Sequence, residues 1–194
     1  MLEKLNNQNA TKEVLNTILE LYHKGKFEEI LKQANELINL YPDSVDLYNI
    51  FGSTNLALNQ FKSAIRNFKK AIKISPNLPV IFYNLGLSFH YDKNFESALS
   101  SYEKAIKLKP DYAEAYCNKG MSFNEKGDLK GAIKSYRKTL EINPNHIGAH
   151  EYLGELYLMM DNKDKAHEML VKLETLAGTS SKEYLDLKKT IEKY

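Results

Sequence analysis

The sequence holds a single cysteine, Cys117, no tryptophan, and only two arginines, Arg66 and Arg137. One cysteine excludes an intramolecular disulfide and a thiolate zinc cluster, and it fits a reducing compartment. With arginine so scarce, lysine is the main cation. Lysine lacks the planar fork that reads base edges and phosphates bidentately, so specific recognition of nucleic acid is not expected. No apolar run approaches the ~20 residues that span a bilayer, and the opening Met1-Leu2-Glu3-Lys4-Leu5 has no apolar signal core. A charge excess is also missing: 27 basic against 25 acidic side chains leave a net charge of +2, too little to steer the chain toward nucleic acid or an anionic membrane. These absences predict a cytoplasmic protein without membrane insertion.

What is present is a composition 43% hydrophobic, sufficient for a packed core, and a repeat. Four of the five prolines, Pro42, Pro76, Pro110 and Pro144, stand 34 residues apart. At that period other columns align. Gly52, Gly86, Gly120 and Gly154 form one, and since a mid-helix glycine costs ~1 kcal/mol relative to alanine, four in register predict a close helix approach. Ala64, Ala98, Ala132 and Ala166 form a second, expected to be the surface the glycines face. Phe68, Tyr102, Tyr136 and Leu170 form a third, and Ala71, Ala105, Thr139 and Leu173 a fourth, so that large and small residues alternate as interlocking helix faces require.

Between the glycine and alanine columns lie Gly25, Asn59, Lys93, Gly127 and Asp161. Glycine and asparagine tolerate the left-handed backbone that ends a helix. At the other two places, Asn94 and Asn162, one residue later, are expected to take it. Each proline biases its predecessor away from helix and marks the second break. With no strand-like alternation, the chain reads as all-α: helical hairpins at 11–44, 45–78, 79–112, 113–146 and 147–178, followed by a capping helix within 179–194. Ser180 or Ser181 is its expected cap. Tyr184, Leu187, Ile191 and Tyr194 share its apolar face, opposite Glu183, Lys188, Lys189, Glu192 and Lys193.

Tyr83-Asn84-Leu85-Gly86, Phe89, Ala98, Tyr102, Ala105 and Pro110 together resemble the tetratricopeptide repeat (TPR), whose unit is 34 residues. The likeness is strongest in the third hairpin and good in the second and fourth, despite Asn55 and Lys119 at places usually aromatic or apolar. It drifts in the fifth, where Gly178 stands for the proline, and is weakest in the first, where Ile18 and Ile30 replace both small residues. The resemblance implies a right-handed superhelical solenoid of about five hairpins, its concave groove lined by the first helices, with residues 1–178 as one repeat domain.

With Gly86 and Phe89 inside, the opposite stripe of the third hairpin's first helix is Tyr83, Asn84, Leu87, His90 and Tyr91. The same offset gives Asn49, Ser53 and Leu56 before it, then Cys117, Asn118, Met121, Asn124 and Glu125, and then Glu151, Tyr152, Glu155 and Leu158. In related superhelices the column of Asn84 and Asn118 presents amides to the backbone of an extended peptide, although Ile50 and Tyr152 interrupt it here. Asn84→Ala is therefore expected to weaken binding and leave stability nearly unchanged. Relatives that clamp an acidic C-terminus do so with basic residues. Tyr83 and Cys117 occupy such places here, and Glu125, Glu151 and Glu155 add negative charge. The expected ligand is a protein or peptide with apolar anchors and a basic flank.

Lys70, Lys104 and Lys138, with Lys73 and Lys107 beside them, read as a solvated helix face. His146 and His150 have metal-ligand spacing, but the first falls in a predicted loop and the second in a packing column with Phe82 and Tyr116. No phosphate-cradling glycine loop or nucleophile elbow appears, and Cys117 has no identifiable base. The expectation is a non-catalytic adaptor or scaffold that needs no cofactor or metal. A self-assembling homo-oligomer joined through groove-to-terminus contacts is one alternative. An accessory subunit of a glycosyltransferase- or methyltransferase-type enzyme is another.

Overall fold

A computed structural model describes residues 10–193. Among them are eleven α-helices and no strand, as the all-α reading expects. The segment before residue 10 and Tyr194, assigned above to the apolar face of the last helix, lie outside the described residues. The chain divides into two compact units, one up to Leu108 and one from Lys109 onward.

The first unit contains α1 (Lys12–His23), α2 (Phe27–Leu40), α3 (Val45–Ala57), α4 (Phe61–Ile74), α5 (Pro79–Tyr91) and α6 (Phe95–Leu108). The second contains α7 (Ala113–Glu125), α8 (Leu129–Ile142), α9 (Ile147–Met159), α10 (Lys163–Ala177) and α11 (Lys182–Ile191). Helices α2, α4, α6 and α8 each stop two residues short of a repeat proline. The Thr11, Ser44 and Ser181 hydroxyls accept from the third residue onward and cap α1, α3 and α11. Pro79 opens α5, where its missing N–H costs nothing.

The hairpin turns share one hydrogen-bond pattern. The N–H of Lys26, Gln60, Asn94, Asp128 or Asn162 donates to the carbonyl five residues back, at 2.8 or 2.9 Å. That bond places the left-handed residue immediately before the donor. Lys93 (φ 60°) and Asp161 (φ 56°) therefore adopt it themselves, correcting the expectation that Asn94 and Asn162 would. The two asparagines cap the following helices instead, accepting from Ser97 N at 3.1 Å and Lys165 N at 3.2 Å.

The glycine column makes the expected close approach, and in three hairpins the nearest atoms belong to an aromatic ring. A Cβ on Gly52, Gly86 or Gly120 would lie 2.6, 2.5 or 2.6 Å from a ring carbon of Phe68, Tyr102 or Tyr136. The first three glycines are thus seats for aromatic rings, and the alanines of the second column are also fully buried. In the last hairpin Leu170 stands in the aromatic column, and its atoms are not among the three nearest to Gly154. Leu187 of α11 fills the space instead, with Cδ2 2.6 Å from where a Gly154 Cβ would be. In the first hairpin Ile18 and Ile30 occupy the small-residue places and are buried, and the α1 and α2 backbones approach at fewer points than in later pairs.

Candidate binding surface

In the first unit the expected surface residues come from α3 and α5. Asn49, Ser53, Tyr83, Asn84, Leu87 and His90 are partly buried, while Tyr91 is 52% exposed. The two helices are tied side chain to side chain: Asn84 Nδ2 donates to Asn49 Oδ1 at 3.3 Å. A carboxamide has two donors and two acceptor lone pairs, so this bond engages only part of each group's capacity. It also explains how Asn84 is held without an asparagine at position 50, since its partner is one residue earlier on α3.

Around the C-terminal end of α5 the surface is aromatic. Tyr91 stacks on Phe61, with centroids 5.7 Å apart and planes at 19°. His90 meets Tyr91 and Phe95 edge-on at 5.5 and 5.6 Å. Deeper in, the Tyr83 ring lies 6.2 Å from that of Tyr102. Phe61 and Phe95 were not among the expected surface residues. They begin α4 and α6, and with Phe27 they form another column at the 34-residue period that could have identified them.

The second unit presents a different chemistry, from α7, α9 and α11. Asn118 and Met121 are partly buried, and Asn124 and Glu125 are exposed. Asn118 Nδ2 donates to the Glu114 carbonyl of its own helix at 2.9 Å. Two expectations need correction. Cys117 is 4% exposed and belongs to the core, so its thiol offers no surface to a ligand. Burial first, and then Glu114, push the thiol up to about 12, which leaves it protonated and unreactive at neutral pH. Leu158, 2% exposed, is likewise core. Both lie at the margin of their helix stripe, where neighbouring helices close over them.

Glu151, Tyr152 and Glu155 are partly buried on α9. Tyr152 packs its ring 5.6 Å from Tyr136, so this member of the asparagine column serves packing. The two glutamates do not stand alone, because Glu183 and Asp186 of α11 act electrostatically on Glu151, and Asp186 on Glu155. These α11 residues had been read only as solvated charge or not singled out. Their alignment at the 34-residue period with Ala149 and Tyr152 of α9 was the available signal.

Both histidines with metal-like spacing have structural roles. His146 Nδ1 accepts from Ala149 N at 3.1 Å and caps α9, and His150 is buried with Nε2 2.9 Å from the Pro144 carbonyl. Among the described residues no three His, Cys, Asp or Glu side chains are grouped to hold a metal ion. No described helix is long and apolar enough to cross a membrane. Of the lysine face, Lys70, Lys73, Lys104 and Lys107 are exposed, and Lys138 pairs with Glu141 at 2.7 Å.

Models of the tetratricopeptide repeat match residues 113–146 and 135–168, and a model of the TPR repeat matches 52–92 and 88–123. Together they cover 52–168, more than half of the 194 residues. No curated protein sequence matches the chain. Among solved structures it resembles MamA 41-end from Desulfovibrio magneticus RS-1, at 22% identity and a TM-score of 0.78, over 87% of this chain and 96% of that one. It also resembles YrrB, described as a TPR protein with an unusual peptide-binding site, at 24% identity and a TM-score of 0.73, over 95% and 94% of the two chains. A third is PilW, described as a widely conserved type IV pilus biogenesis factor, at 18% identity and a TM-score of 0.82, over 95% and 86%. At these identities the likeness shows the fold alone.

Proposed function

We propose that this chain, which belongs to the tetratricopeptide-repeat family, is a non-catalytic adaptor that captures a segment of a partner protein on its first helices. The observation that carries this reading is the α3/α5 surface. There a cross-helix amide pair, Asn49 and Asn84, lies among partly exposed Tyr83, Leu87, His90 and Tyr91. Carboxamides serve a peptide backbone as both donor and acceptor, and aromatic rings supply large contact area at small entropic cost. YrrB, which shares the fold, is described as having a peptide-binding site, and this supports the same use here.

The ligand chemistry follows from the two surfaces taken separately. The first unit favours an apolar or aromatic anchor, and the glutamates on α9 favour a basic residue. Affinity in the micromolar range, about 8 kcal/mol, is what a surface of this kind supplies.

Titration calorimetry against peptide pools tests the proposal. Peptides with an apolar anchor and a basic flank should bind best, and Leu87→Ser with Tyr91→Ser should weaken them about tenfold or more. If acidic C-termini bind best, the ligand assignment is wrong. If no peptide binds and light scattering shows concentration-dependent assembly that needs residues 180–194, the chain is a self-assembling scaffold instead.

A further inference from the structure

Helix α11 takes the place of a first helix. Its Tyr184 and Leu187 fall 34 residues after His150 and Leu153, in the same packing columns. Its contact with α9 and α10 centres on these two buried side chains, with Leu187 closing over Gly154.

Around that small apolar contact acidic groups predominate, with Lys188 over the Tyr184 ring at 5.9 Å as a basic neighbour. Glu155 on α9 and Glu183 and Asp186 on α11 act on Glu151, Asp186 also acts on Glu155, and Lys182 is the one opposing charge acting on Glu151. None of the four carboxylates has an ion-pair partner among the described residues. The other packed elements do not compensate. From α8, Tyr136 faces Glu155, with Glu125 of α7 adding negative charge on the same side, and Lys172 of α10 acts on His150. Like charges at a partly desolvated contact repel unless some of them take up protons.

We infer that the cluster of Glu151, Glu155, Glu183 and Asp186 makes the α9/α11 contact a proton-sensitive latch, docked while the cluster holds protons and released as it ionises fully. Burial first, then Glu155, Glu183 and Asp186, push the Glu151 carboxyl up to about 7 against the smaller pull of Lys182. Burial and then Asp186 raise Glu155. A carboxyl raised by docking gives its full contribution to docking below its ordinary 4.5 and loses it as pH rises through about 7. Release uncovers the Gly154 side of α9 and the leucines packed behind it. The latch shares Glu151 and Glu155 with the ligand surface proposed above, so it is tested without any peptide present.

Amide hydrogen exchange on the full chain, corrected for the intrinsic pH dependence of exchange, tests it. Protection over 182–191 should fall about tenfold or more between about pH 5.5 and about pH 8.5, while protection in α9 and α10 holds. Glu151→Gln with Glu155→Gln should keep α11 protected across the range. The inference is overturned if wild-type protection of α11 does not change with pH, or if the double variant retains the pH dependence. It is also overturned if α9 and α10 lose protection together with α11, since the unit would then be opening as a whole.

Discussion

The Tyr102 ring sits directly against Gly86, so that a Cβ built on the glycine would come within 2.5 Å of Cε1. Two other hairpins repeat the arrangement, with Phe68 and Tyr136 as the ring, and the ring is fully buried or nearly so each time. A fully buried ring has no free end to swing aside, so a methyl group has to displace the helix or the ring.

Gly86→Ala therefore sets two effects against each other. Alanine gains ~1 kcal/mol in helix propensity, but overpacking a closed contact costs ~1–3 kcal/mol and more where backbone must move. The clash should win, and urea unfolding should show a net loss. Adding Tyr102→Leu should return part of it, because the opposing ring is what alanine meets.

Asn84→Ala was expected from sequence to be neutral for stability. The bond to Asn49 changes that expectation: losing it should cost about 0.5–1.5 kcal/mol. A double-mutant cycle with Asn49→Ala, read by denaturant melts, should show the two changes to be less than additive. Full additivity would mean that the amides act separately.

At the hairpin turns, Gly25 and Gly127 occupy positions that Lys93 fills at φ 60°. Lys93→Gly should relieve left-handed strain and stabilise the fold by about 0.5–1 kcal/mol, despite the entropy glycine adds to the unfolded chain. A melting temperature raised by a few degrees is the expected reading.

Buried His150 has Nε2 on the Pro144 carbonyl and an Nδ1 with no partner among the described residues. Burial first, with Lys172 and His146 adding to it, holds its pKa below the ordinary 6.5, against the opposing effect of the carbonyl bond. A group lowered by folding contributes stability above its unfolded value and loses it as pH falls through that value toward the folded one. His150→Phe, which matches Phe82 in its column, removes this loss. The stability difference, variant minus wild type, should rise as pH drops below about 6.5, and comparing the two proteins cancels the opposite trend of Glu151.

The helices and their ends were legible because their causes are local. Each repeat proline stops a helix two residues later than the last helical position, and the five turns recur where glycine, asparagine or their column-mates stand. Even the error at Lys93 was local in origin: a backbone bond from Asn94 to Phe89 fixes which residue turns left-handed, and residue preference is outweighed. The binding surface was less legible. Tyr91 is exposed on its stripe, but Cys117, chosen by the same offset, is core. Helical periodicity gives a side chain's angle around its own axis and says nothing of how far the next helix wraps over it.

By itself, the sequence determined the number, ends and order of the hairpins, since capping, proline stops and 34-residue columns act over a few neighbouring residues. Only the tertiary structure decided that a ring fills the seats at Gly52, Gly86 and Gly120, that Leu187 replaces the missing ring at Gly154, that Asn84 holds Asn49, and that α11 brings two acids to act on Glu151. Those outcomes depend on side-chain reach and helix separation across tens of residues of chain, where several partners satisfy one pattern and packing selects among them.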